Sequence, residues 1–163
     1  AREHLGLEVN APEALPAYET GSFDVVTLWH VMEHLQNLNE TWERIYSLLS
    51  DRGILVVAVP NPTSFDARFY KEMWAAYDVP RHLWHFAPSV IQQFGAKHGF
   101  ILTERHPMPF DAFYVSMLSE KYRKSSFPFV KGMLKGMEAG LASLVKKERS
   151  SSMIYVFQKK VKA

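Results

Sequence analysis

Residues 23–34 read FDVVTLWHVMEH and residues 52–61 read RGILVVAVPN. Phe23–Trp29 is an apolar run rich in β-branched residues and interrupted only by Asp24 and Thr27. That pattern predicts a strand buried on both faces of a parallel sheet. Ile54–Val59 is a second run of the same kind. Between them Leu38, Trp42, Ile45, Leu48 and Leu49 recur at helical spacing, and Gly53 supplies a stop. Strand, helix and strand in this order predict a right-handed βαβ unit and an α/β fold. In such open sheets ligands bind beyond the carboxyl ends of the strands. Here those ends carry Trp29-His30 and Pro60-Asn61.

The chain around this unit has 163 residues, enough for one domain with a core of its own. Its 47% hydrophobic and 22% charged content is that of a soluble globular protein. A net charge of +2 gives no argument for a nucleic-acid partner. No apolar run approaches the roughly 20 residues of a transmembrane segment. The absence of cysteine excludes disulfides, thiolate nucleophiles and Cys-ligated zinc, and it agrees with a cytoplasmic location. Ala1–Gly6 reads as the end of a helix and Leu7–Val9 as a short strand, so a C-terminal part of a longer protein is expected.

After the central unit, residues 62–80 predict a short helix and a loop, and residues 78–86 (DVPRHLWHF) are dense in aromatic and basic groups. A helix is expected from Pro88, burying Val90, Ile91 and Phe94 and stopping at Gly99, followed by a strand over Phe100–Arg105. Residues 108–149 carry two helical patterns broken near Ser125–Pro128 and form a helical insertion within the single domain 1–163. The first pattern has Phe113, Met117, Leu118 and Tyr122; the second has Val130, Met133, Leu134, Met137, Leu141, Leu144 and Val145. Both stripes are expected to face the core. The alternative for the second, with Lys131, Lys135, Lys146 and Lys147 beside it, is an anionic lipid surface. Met153–Phe157 predicts the last strand.

Taken in order, FDVVTLWHVMEHL, GILVVAVPN, DVPRHLWHF and the helix ending in Gly99-Phe100 resemble the class I S-adenosylmethionine-dependent methyltransferases. The likeness is to the branch of the ubiquinone-biosynthesis O-methyltransferases, and it spans Leu7 to about Phe157. It implies a Rossmann-like sheet, mostly parallel with an antiparallel last strand, that lacks the family's first two strands. The family's glycine-rich turn and ribose-binding acid do not occur before Leu7. Their strands would come from a missing N-terminal part or from another copy of the chain, and this fragment alone is expected to bind S-adenosylmethionine poorly. The resemblance sets Asn10 and Ala11 beside the adenine, with a local loop turn as the other reading of Asn10. It sets Leu28, Trp29 and His30 along the cofactor, with plain core as the other reading of Trp29.

Residues 30–34, HVMEH, also match H-x-x-E-H. On a helix His30 and His34 would share a face beside Glu33, a set suited to zinc and other divalent metals. Inverted zinc proteases carry that pattern, and Glu104 would be the remaining ligand in a metal-dependent hydrolase. The methyltransferase resemblance offers E-x-x-E-H instead, a divalent-metal motif completed by a downstream histidine, matched here by His82. The candidate metal ligands are then His30, Glu33, His34 and His82, with His30 favouring ions softer than magnesium. Without metal, Glu33 and His34 would brace a helix start, and His30 or His82 would be a catalytic general base. Arg81 either pairs locally or faces an anionic substrate.

Three functions follow from these readings. The leading one is methyl transfer to a small-molecule acceptor, or to a lipid- or sugar-linked one. The second is a cofactor-incompetent fragment that binds a partner or itself. The third is the hydrolase.

Overall fold

The computed structural model describes residues 5, 6 and 9–160. The expected helix over 1–6 and strand over 7–9 fall largely outside them. From residue 12 to residue 160, four strands and five helices run in the order β1 (Phe23–Trp29), α1 (Leu38–Leu48), β2 (Leu49–Pro60), α2 (Phe65–Tyr70), α3 (Pro88–Lys97), β3 (Phe100–Met108), α4 (Asp111–Tyr122), α5 (Pro128–Val145) and β4 (Ser152–Lys159). Short 3-10 turns join several of them, among them Met32–His34.

The sheet order is β1-β2-β4-β3. β1 and β2 run parallel, paired from Val25–Ile54 to Trp29–Ala58. β4 enters between β2 and β3 and is antiparallel to both. The α/β class and the antiparallel last strand are therefore as read from the sequence. Trp42 on α1 is fully buried, and its ring meets Phe94 of α3, Phe100 of β3 and Phe157 of β4 edge-on at centroid separations of 5.2, 5.5 and 5.5 Å. Such edge-to-face pairs add about 0.5–1.5 kcal/mol each to what burial alone contributes. One aromatic cluster thus fastens two helices to the far half of the sheet.

Several expectations are corrected. β1 is not buried on both faces: Val25 and Trp29 are about half exposed at 52% and 50%. It is the sheet's edge among the described residues, so its apolar run reflects strand preference and one packed face only. Gly53 does not stop the helix. α1 ends at Leu48, and β2 begins at Leu49 with an irregular register before Ile54. A Cβ at Gly53 would lie 2.8 Å from Leu49 Cβ, so a close approach within the strand requires glycine there. Val90 on α3 is exposed, whereas Ile91 is buried.

The larger correction concerns the helical pair between β3 and β4. α5 buries Gly132, Gly136, Ala139 and Ser143, and its large apolar side chains point outward. A Cβ on Gly132 would lie 2.5 Å from Met117 Cα, and one on Gly136 would lie 2.7 Å from Phe113 Cα. The two helices cross so closely that only small residues fit the contact. Periodicity alone cannot tell which face of such a helix turns inward.

Gly132→Val is therefore expected to destabilise the fold by about 1–3 kcal/mol through overpacking against backbone that cannot move aside. Leu134→Ala on the outer face should change stability by less than about 0.5 kcal/mol. Urea unfolding of both variants tests this, and equal losses would contradict the packing described.

Candidate functional site

β1 delivers the chain to His30, whose backbone N–H donates to Ala58 O at 2.9 Å and so extends the parallel pairing by one residue. His30 then turns with φ +50°, a left-handed conformation that costs a non-glycine residue about 1–2 kcal/mol. The turn brings its ring between two carboxylates. Nδ1 is 3.2 Å from Glu33 Oε1, and Nε2 is 3.2 Å from Asp111 Oδ2 at the start of α4. Hydrogen bonding to Asp111, and then to Glu33, outweighs the effect of burial and raises the His30 pKa to about 9. At neutral pH it is an imidazolium donating from both nitrogens. Burial would raise the Asp111 carboxyl, but hydrogen bonds from His30 and Ser152 and the imidazolium charge hold it below its ordinary value.

Glu33 is only 1% exposed, and its Oε2 has no hydrogen-bond partner. Its backbone carbonyl accepts from Leu83 N at 2.8 Å, which fastens the turn after β1 to the loop holding His82. His34 Nδ1 donates to Arg81 O at 3.0 Å, and His82 Nδ1 donates to Ala76 O at 2.8 Å. These bonds to carbonyls fix each Nδ1 as a donor, and His82 Nε2 lies 3.8 Å from Asp78 Oδ2. One ligand atom from each of Glu33, His34 and His82 lies within 4.8 Å of the other two.

A cavity of about 310 Å³ opens at the carboxyl ends of β1 and β2. His30, Asp78, Arg81, His82, Asp111 and Ser152 supply its polar lining, and Tyr114 and Tyr122 of α4 its aromatic wall. Arg81 is paired with Asp78 at 2.6 Å while also lining the cavity, so the local pair forms without turning the residue away from that space. Asn61, at the end of β2, is fully buried and holds the carbonyls of Glu148 and Ser150 at 2.8 and 3.0 Å. It braces the approach to β4 and does not line the cavity.

A family model described as a methyltransferase domain matches residues 6–105, more than half of the chain. The chain belongs to the methyltransferase domain family. Solved structures agree on the fold. A SAM-dependent methyltransferase of Thermotoga maritima, a possible histamine N-methyltransferase, superposes with TM-score 0.55 at 13% identity, covering 93% of this chain and 60% of that one. A SAM-dependent methyltransferase of Archaeoglobus fulgidus gives TM-score 0.55 at 16% identity, covering 94% and 66%. A Burkholderia thailandensis 1,6-didemethyltoxoflavin-N1-methyltransferase, solved with its substrate and S-adenosylhomocysteine, gives 0.50 at 11%, covering 87% and 46%. The chain thus spans less than two thirds of the length of each. No curated protein matches the sequence.

Within this methyltransferase domain the sequence-derived candidates separate. His30 and His82 meet at the cavity; Asn10, Ala11, Leu28 and Trp29 do not line it. Asn10 Nδ2 donates to Tyr18 OH at 3.0 Å in the loop before β1. Glu33, His34 and His82 converge, and His30 does not join them; its two ring nitrogens face Glu33 and Asp111 instead. That geometry sets His30 apart from the convergent three and places it in the cavity wall as the partner of Asp111. The shared helical face expected for His30 and His34 is also absent, since His30 precedes a three-residue 3-10 turn, Met32–His34, of which His34 is the last residue. Glu104 pairs with His106 at 2.7 Å on β3, at the opposite edge of the sheet, so the hydrolase ligand set does not assemble.

Asp111 is the residue sequence reasoning missed. Its signal was a lone acid in the apolar run PMPFDAFYVSML over residues 107–118.

With divalent metal removed by chelator, the His30 ring should titrate near pH 9 by NMR, and Asp111→Asn should lower that value. A pKa raised on folding stabilises the fold fully below 6.5 and ceases to do so as pH rises through about 9. The unfolding midpoint should therefore fall between pH 7 and pH 9, less steeply in Asp111→Asn. A His30 ring titrating below pH 7 would contradict the paired geometry.

Proposed function

We propose that this chain is the acceptor-binding part of an S-adenosylmethionine-dependent methyltransferase. The observation that carries the reading is the cavity at the strand ends, with the Glu33–His30–Asp111 array in its wall, in a chain matched by a methyltransferase family model. A volume of about 310 Å³ suits a small acceptor, or the head of a lipid- or sugar-linked one. Bound S-adenosylmethionine supplies a methyl group on a sulfonium, so what remains for the protein is mainly orientation and exclusion of water. His30 fixes Asp111 at the cavity wall. The carboxylate, kept ionised by that contact, accepts a hydrogen bond or proton from an acceptor hydroxyl or amine. His82 faces the same space. Trp29 and Leu28, at the carboxyl end of β1, form an open apolar wall for the cofactor, with the backbone of His30, and Asn10 and Ala11 belong to its adenine end.

The donor set of Glu33, His34 and His82 fits a divalent metal. An orphaned buried carboxylate oxygen and two imidazoles whose Nδ1–H bonds are already made are what such a site requires. Two nitrogens and one oxygen favour zinc, manganese or iron over magnesium. A metal held there would lower the pKa of a bound hydroxyl. This set also supports the finer likeness to the ubiquinone-biosynthesis O-methyltransferases.

The edge position of β1 favours a companion reading: the glycine-rich turn and ribose-binding acid come from a preceding part of the native protein or from a second copy. The competing reading is a cofactor-incompetent fragment that acts as a binding or self-association module.

Calorimetric titration of S-adenosylhomocysteine into this chain, and into a version extended upstream through two further strands, tests the reading. Binding by the extended form alone is the expected result. Binding by neither would overturn the cofactor assignment. Titration of Mn²⁺ or Zn²⁺ should give one site, weakened at least about tenfold by Glu33→Gln or His82→Ala and unaffected by Glu104→Gln. No site, or one equally dependent on Glu104, would remove the metal.

A further inference from the structure

We propose that the outer face of α5, with the basic rim of the α4–α5 hairpin, seats the protein on an anionic lipid bilayer. Because α5 buries its small residues against α4, its large ones are left without cover. Val130, Met133, Leu134, Met137, Leu141, Leu144 and Val145 are 39–83% exposed. At 100° per residue they fill one continuous arc of about 120° along the helix. Phe127 and Phe129, at the turn that opens α5, are exposed at 76% and 66%. Phe127 has φ +59° and carries its ring outward from the turn. Scattered exposed apolar residues need no explanation, but a continuous helical face of them marks a contact surface.

Charge selects the occupant. Residues 121–149 hold eight Lys or Arg against two Glu, a net +6 in a chain whose total is +2. The remainder is therefore negative, and the positive charge is concentrated around this one apolar face. Lys121, Lys124, Lys131, Lys146 and Lys147 have no acidic partner within 4.0 Å among the described residues. A second copy docked face to face would bring these like charges together without compensation. An anionic bilayer meets both features at once, receiving the apolar arc below its headgroups and the lysines among them. No described helix is long and apolar enough to cross a membrane, so α5 lies in the interface plane. The inference stands on the hairpin alone and does not depend on the methyl-transfer reading.

Co-sedimentation of the full 163-residue chain with vesicles tests it, using phosphatidylcholine alone and phosphatidylcholine with phosphatidylglycerol. Binding to the anionic vesicles should exceed binding to the neutral ones by at least about tenfold and weaken with salt. Leu134→Glu with Leu141→Glu should reduce it at least about tenfold while leaving the circular dichroism unchanged, since both side chains are exposed. Lys146→Gln with Lys147→Gln, which touches no packed residue, should reduce binding to anionic vesicles only. In a Met137→Trp variant the new indole emission should shift to the blue on anionic vesicles. Equal binding to both vesicle types, or binding indifferent to both double variants, would overturn the proposal. So would a dimer in sedimentation velocity that Leu134→Glu with Leu141→Glu dissolves while the wild type ignores vesicles, which would assign the face to a second copy.

Discussion

The functional end of this molecule depends on one charged ring held between two carboxylates. His30 leaves β1 in a left-handed conformation that an unsupported residue would avoid, and its bonds to Glu33 and Asp111 compensate for that cost. Through Glu33 the ring is joined to the turn after β1 and to the loop carrying His82. Through Asp111 it is joined to the helical hairpin. Three segments distant in sequence are thereby fixed around one cavity. Without the ring, the buried Glu33 and the partly exposed Asp111 would lose the group that pairs them.

The parts of the fold that were legible are those in which pattern and packing agree. Ile54–Val59 alternates no polar residues and is indeed a central strand, flanked on both sides by β1 and β4. Trp42 and Ile45 mark the inner face of α1 because that helix has a polar opposite side. Phe23–Trp29 was legible as a strand but not as an edge, because burial depends on neighbours that composition does not reveal. α5 was legible as a helix but was read inside out. Its interface is set by how closely Gly132 and Gly136 let α4 approach, and hydrophobic periodicity carries no record of that distance.

The site divides in the same way. Glu33, His34 and His82 share chemistry that a short motif displays, and the structure brings them together across nearly 50 residues. His30 belonged to the motif by spacing, yet it pairs with Asp111, 81 positions later, a contact that raises its pKa. A tertiary partner of this kind is invisible in a local pattern. The hairpin that supplies Asp111, Tyr114 and Tyr122 to the cavity also carries the exposed apolar arc on its outer side. One short helical pair therefore both closes the cavity and faces outward, and the small residues between its helices allow the two tasks to sit back to back.

The central claim is that the cavity bounded by His30 and Asp111 receives a methyl acceptor. Its most direct test is transfer of labelled methyl from S-adenosylmethionine to a panel of small hydroxyl and amine acceptors. The enzyme would be the upstream-extended protein, and the comparison its Asp111→Ala variant. The account predicts label on at least one acceptor, and transfer reduced about a hundredfold or more in the variant with affinity for S-adenosylhomocysteine retained. Undiminished transfer by Asp111→Ala would contradict it.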